Sequence, residues 1–173
     1  MTRLLLSSTP TRFDPPAPVP GVVFRLAQPG DLPTLQANCY PETDLRQFEE
    51  HFSFLLKWQE SGRCYIVVAE RMVKSESEAG MACEIIGSGQ LMCLVGKAEI
   101  AELSVNSCYR NRGIGTAIIH ILTGVARENG LEPVEIGVTV DNQEALKLYR
   151  RLGFSQERRL ELPGSQEAIL LRK

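Results

Sequence analysis

The residues best suited to hold a charged ligand lie together at Arg110-Asn111-Arg112-Gly113-Ile114-Gly115. Gly113 and Gly115 carry no side chain, so backbone N–H groups can close on an anion. A helix opening at this point adds unpaired donors and a partial positive charge, and Arg110 and Arg112 add full charges. The combination reads as a seat for a diphosphate. Alone, the segment is equally an ordinary polar turn before a helix, so its meaning depends on its surroundings. A dinucleotide fingerprint needs a third glycine where Ile118 stands. Glu135 falls twenty residues after Gly115, as that pattern requires of its acid, but it opens a strand instead of closing one. The Walker pattern is absent.

The seat needs a strand before it and a helix after it. A strand-like run covers Glu99–Asn106, and Ile114, Ala117, Ile118, Ile121, Leu122 and Val125 set one face of a helix over Ile114–Glu128. Five of ten prolines fall between Pro10 and Pro20, so residues 1–20 read as an extended tail and 21–173 as one domain. Folding starts at the strand Val22-Val23-Phe24-Arg25, after which Asp31 is expected to cap a short helix carrying Leu32 and Leu35. Asp44 and Gln47 form a capping-box pattern for a second helix with Leu45, Phe48, Phe52, Leu55 and Leu56 on its apolar stripe, stopped at Gly62. Strands are expected at Cys64–Ala69, Glu84–Val95, Ala98–Val105 and Val134–Val140, with a bend or bulge at Gly87 and Gly89. Arg71–Gly80 reads as a loop. A last helix starts near Asp141-Asn142 and stops at Gly153, with Phe154 folding back on it. Two final strands, Ser155–Leu162 and Glu167–Leu171, are joined by a Pro163-Gly164 turn. This order predicts an α/β domain: a mixed, mostly antiparallel sheet of about seven strands, helices on both faces, and a parallel pair across the long helix.

With 173 residues, 43% hydrophobic and 23% charged, the chain has the make-up of a globular domain with a sizeable core. A net charge of −2 gives no global attraction to nucleic acid or an anionic membrane, so neither is expected as a partner. No apolar run is long enough to span a bilayer, and a cytoplasmic location is expected. Five scattered cysteines and two histidines offer no metal-ligand spacing, and free thiols in a reducing compartment are the plain reading.

Two segments carry a family resemblance. Leu103-Ser104-Val105 followed by Arg110-x-x-Gly113-x-Gly115-Thr116-Ala117, and then Asn142-x-x-Ala145-x-x-Leu148-Tyr149-x-x-x-Gly153-Phe154, resemble the GCN5-related N-acetyltransferases. The element order follows the family over roughly 22–173, and the specific residues lie within about 97–154. The resemblance implies an acyl-CoA N-acyltransferase fold and acetyl-CoA as cosubstrate, with no metal. Arg110, Asn111, Arg112, Gly113, Ile114, Gly115 and Thr116 are implied to seat the coenzyme A diphosphate. The pantetheine arm is implied to lie where the strand before the seat, Ala98–Val105, carries a bulge and splays from its parallel neighbour, Val134–Val140, bonded to the backbone of Leu103 and Val105 like an added strand. A backbone N–H of Leu103 or Val105 is implied to polarise the acetyl carbonyl. Asn142 and Tyr149 are implied at the far end of the cleft, Tyr149 as the acid that protonates the departing thiolate.

For the general base, Glu99 is the first candidate, because the histone-acetylating branch keeps a glutamate at that position, and Glu102 is the second. Three positions apart, they face opposite sides of an unbulged strand. The branch that modifies protein N-termini carries a glutamate where this chain has Gly137, and Glu135 offers a substitute on the same strand face. The implied reaction is direct attack by a primary amine, of a small molecule or a protein, in a ternary complex. A non-catalytic acyl-CoA-binding or sensing domain is the alternative, and a nucleotide-binding domain is a third reading. The resemblance implies that the first two helices border the acceptor, whose identity no motif reveals, and the two C-terminal strands offer a homodimer surface.

Overall fold

The computed structural model describes residues 12–74, 81–163 and 166–173. Eight strands form one mixed sheet: β1 (Arg12–Phe13), β2 (Val22–Leu26), β3 (Cys64–Lys74), β4 (Met81–Leu94), β5 (Lys97–Val105), β6 (Val134–Thr139), β7 (Ser155–Leu162) and β8 (Gln166–Arg172). Their spatial order is β1-β2-β3-β4-β5-β6-β8-β7. All neighbours are antiparallel except β5 and β6, which pair in parallel as Ala98↔Val134, Glu99↔Glu135 and Ile100↔Ile136. The α/β expectation holds, with eight strands because Arg12 and Phe13 of the proline-rich segment pair with Arg25 and Phe24.

Four helices flank the sheet: α1 (Leu32–Cys39), α2 (Leu45–Glu60), α3 (Ile114–Glu128) and α4 (Gln143–Arg151). Alternation along the strands sends Tyr65, Val67 and Leu91 into the core under α3, and Cys64, Ile66 and Val68 into the core under α1 and α2. Most of α3 is buried, including Ile118, Ile119 and Leu122. The bounds of α3 are those its apolar period predicted.

Two further expectations change. Arg71–Lys74 belong to β3, with Arg71 opposite Glu84 and Met72 opposite Cys83, so the antiparallel ladder runs past the apolar stretch. Residues 75–80 of the expected loop, and Gly164 of the expected turn, lie outside the described residues. Asp31 does not cap α1 with its side chain. Its carboxylate instead takes two bonds from the Arg25 guanidinium, at 2.8 and 2.7 Å, and one from the Gln28 N–H. A bidentate charged pair outcompetes a cap at that oxygen pair.

Gly87 and Gly89 serve close packing as well as irregular pairing. A Cβ on Gly89 would stand 2.7 Å from Ile118 Cγ2, and one on Gly87 would stand 3.0 Å from Ile114 Cγ2. The two glycines therefore let α3 settle on β4. Gly89→Ala is expected to destabilise the protein by about 1–3 kcal/mol through overpacking against Ile118, read as a lowered denaturation midpoint.

Candidate active site

Opposite Gly89, β5 carries one extra residue. Ser88 pairs with Ser104 and Gln90 with Ala101, which leaves Glu102 and Leu103 facing Gly89 alone. Glu102 sits at φ 51°, a left-handed conformation that a glutamate adopts only where its surroundings hold it. The holding groups come from the end of α1. The Tyr40 hydroxyl donates to the Glu102 carbonyl at 2.7 Å and bonds Ser88 Oγ at 2.9 Å, while Ser104 Oγ donates to the Cys39 carbonyl at 2.7 Å.

The bulge coincides with the divergence of β5 and β6. Their pairing ends at Ile100↔Ile136, and beyond it Gly137, Val138 and Thr139 pair with β8. The result is an open cleft of about 400 Å³. One wall is Ile100 to Ser104, the other Ile136 to Thr139, and Asn142 and Tyr149 close the end. Asn142 spends Oδ1 capping α4, accepting from the Ala145 N–H at 3.1 Å. Tyr149 is held by the α4 turn that Phe154 closes: the Phe154 N–H donates to the Tyr149 carbonyl at 3.0 Å. Burial pushes the Tyr149 phenol above its ordinary value, so it keeps its proton through neutral pH.

Beyond the cleft, Asn106 to Tyr109 make one short turn and α3 begins. Gly113 precedes α3 at φ 84° with no side chain capping the helix. The first turn of α3 thus presents backbone donors to whatever binds there. Asn111 is also left-handed, at φ 59°. Arg110 Nε donates to the Val105 carbonyl at 3.2 Å, tying the turn back to β5. That carbonyl is therefore engaged, and Val105 does not line the cleft, whereas Leu103 does. Tyr109 lies between two guanidiniums, Arg71 at 5.2 Å and Arg112 at 5.3 Å from its ring centre. Arg71 reaches the turn because β3 runs past its expected end.

A second cavity, of about 310 Å³, lies between α1, α2 and the sheet. Phe48, Phe52, Leu55 and Ile66 form its apolar wall, and Thr43, Gln47, His51 and Gln90 bring polar groups. Tyr40 and Glu102 line both cavities. The sequence reading singled out Glu102 but missed Tyr40. The only signal for this pocket was the four-residue spacing of Thr43, Gln47 and His51 beside the Phe48/Phe52 stripe. Glu99, half-buried between Met92 and Glu135 in the ladder, lines neither cavity.

Glu135 cannot stand in for a base, because Lys97 and Arg172 both hold its buried carboxylate. Lys97 foremost, then Arg172, keeps it below the usual carboxylate range. Its contribution to stability is full above the ordinary carboxylate value of about 4.3 and fades as pH falls through the depressed one. The melting-temperature gap between wild type and Glu135→Gln is therefore expected to be wide at neutral pH and to narrow below about pH 4. Among the described residues no three His, Cys, Asp or Glu side chains gather as a metal site, and no helix is long and apolar enough to cross a membrane.

The chain is similar to known proteins in sequence and in fold. The chain is 31% identical over 123 residues to an uncharacterized N-acetyltransferase of Methanocaldococcus jannaschii, a match covering 65% of this chain and 52% of that protein. It is 38% identical over 64 residues to N-alpha-acetyltransferase 30 of Xenopus laevis, covering 37% of this chain and 23% of that protein. The matches thus span about half or less of these relatives. A ribosomal L7/L12 alpha-N-protein acetyltransferase solved with coenzyme A shares the fold at a TM-score of 0.68, with 16% identity over 90% of this chain and 96% of that one. Residues 31–154 match the model of the acetyltransferase (GNAT) family, and the chain belongs to that family.

Proposed function

We propose that this chain transfers an acetyl group from acetyl-CoA to a primary amine, by direct attack while both are bound. The single observation that carries the reading is the cleft between β5 and β6, lined by Tyr149, with β5 leading through one short turn to the uncapped, glycine-led start of α3. Its dimensions and donors fit the group. The open β5 edge beyond Ile100 can pair with an amide-bearing arm, and the Gly113–Thr116 backbone with a diphosphate. Acetyl-CoA supplies the activated acyl group as a thioester.

Arg110 and Arg112 attract the diphosphate, and the main-chain N–H groups at Gly113–Thr116 fix it. The Leu103 N–H polarises the acetyl carbonyl, held at its angle by the bulge and the Tyr40 bond to Glu102. An alkylamine with a lysine-like pKa is neutral in only about one molecule in a few thousand at pH 7, at a cost of about 4–5 kcal/mol. Glu102 is the carboxylate placed to take up that proton through water, since it lines both cavities and Glu99 lines neither. Tyr149 delivers a proton to the departing sulfur.

Thermal stabilisation by acetyl-CoA but not by NAD or ATP, with thiol release on adding amines, is the expected outcome. Stabilisation without turnover on any amine supports an acyl-CoA-sensing domain instead. Stabilisation by NAD or ATP alone contradicts the cofactor assignment.

A further inference from the structure

Resting on the acetyl-transfer reading, we infer that the acceptor is a primary amine bearing one compact apolar group, leucine- to phenylalanine-sized, which fills the cavity between α1, α2 and the sheet. The cavity meets the acyl cleft at Tyr40 and Glu102, so an amine at that junction faces the cleft while its substituent points toward α2. The wall receiving the substituent is built from core side chains. Leu35, Phe52, Leu55 and Ile66 are each at most 3% exposed. Phe48 fixes its shape, with ring centres 5.9 Å from Phe52 and 5.2 Å from Tyr40. A volume of about 310 Å³ lies at the small end of ligand pockets and suits one side chain better than an extended chain.

Charge narrows the class further. Glu102 is the single carboxylate among the lining residues, and it stands at the junction. A second ammonium, as in a polyamine, would enter an interior with no second counter-charge and lose its hydration. The hydroxyls of Tyr40 and Ser88 are engaged with each other and with the Glu102 carbonyl. Neutral polar groups remain at Gln90 on the sheet, at Thr43, and at Gln47 and His51, the last two exposed on α2, where a backbone or linker leaving the cavity would pass.

The test uses the full chain. Calorimetry first measures acetyl-CoA binding, and thiol release then gives kcat/KM for leucinamide, phenylalaninamide, 2-phenylethylamine, glycinamide and spermidine, and for a peptide beginning with leucine. Leucinamide and phenylalaninamide are expected to exceed glycinamide by about 100-fold, with spermidine no better than glycinamide. The peptide and 2-phenylethylamine identify the source, a chain terminus or a free amine, and high turnover of either supports the inference. In Gln47→Trp and His51→Trp, added bulk on exposed positions should cut the leucinamide-to-glycinamide ratio at least about tenfold and leave acetyl-CoA affinity unaltered. A preference for spermidine or glycinamide, or an unchanged ratio in both variants, overturns the inference while the transfer reading survives. Absence of acetyl-CoA binding, or of thiol release with every amine, overturns both.

Discussion

Tyr149→Phe is expected to lower kcat by about 100- to 1,000-fold while acetyl-CoA affinity and melting temperature stay close to wild type. The size follows from the leaving group. A departing thiolate whose conjugate acid has a pKa of about 8.5 benefits from a nearby hydroxyl donor, and a phenol of pKa about 10 keeps its proton at neutral pH to serve as one. Tyr149 is only 6% exposed, and burial raises its pKa, so the donor stays loaded across the neutral range. Among its neighbours, Phe154 packs with its ring tilted at 57° and 6.3 Å between centres, and does not need the hydroxyl. The substitution therefore removes a proton and little packing. Pre-steady-state thiol release separates the chemical step from binding, and unchanged turnover removes Tyr149 from the acid's role.

Gly113→Val is expected to weaken acetyl-CoA binding by about 100-fold, read by calorimetry. Gly113 holds φ 84°, which a β-branched residue reaches only at a cost of about 1–2 kcal/mol. The turn relaxes instead, and the N–H groups that open α3 rotate away from the diphosphate. Losing two charge-assisted bonds of about 1.5 kcal/mol each gives the stated factor. The core under α3 should stand, because among the described residues a Cβ at Gly113 meets only Val19, at 3.9 Å. A melting curve within a few degrees of wild type distinguishes this from unfolding.

Legibility in the sequence tracked how local the governing physics is. Helix α3 was readable to its bounds because a 3.6-residue apolar period and a glycine turn are both written within one segment. The same holds for Asn142 as a helix start, confirmed by its bond to the Ala145 N–H. Pairing beyond the apolar stretch was not readable. Arg71 and Lys74 flank Met72 and Val73 without the alternation that marks a strand, and the partner β4 makes the segment a ladder. Asp31 resembled a cap because its rival, Arg25, becomes a neighbour only when β2 folds beside the turn. The bulge in β5 was implied by the family resemblance, but its place at Glu102 and Leu103 and its effect on the choice of base were not legible. It decides that Glu102, and not Glu99, borders the cavities, yet it arises from Gly89 on the next strand and the Tyr40 hydroxyl from α1. Tyr40 carried no motif, and its partners lie 48 and 62 residues away.

Amide hydrogen exchange, recorded with and without saturating acetyl-CoA, tests the cleft assignment most directly. Protection is expected to rise at Gly113, Ile114, Gly115 and Thr116 and at the Leu103 amide of the bulge, with NAD giving no such pattern. Protection confined to other segments at saturation, with the start of α3 unaffected, would contradict the placement of the cofactor and the acyl-transfer chemistry built upon it.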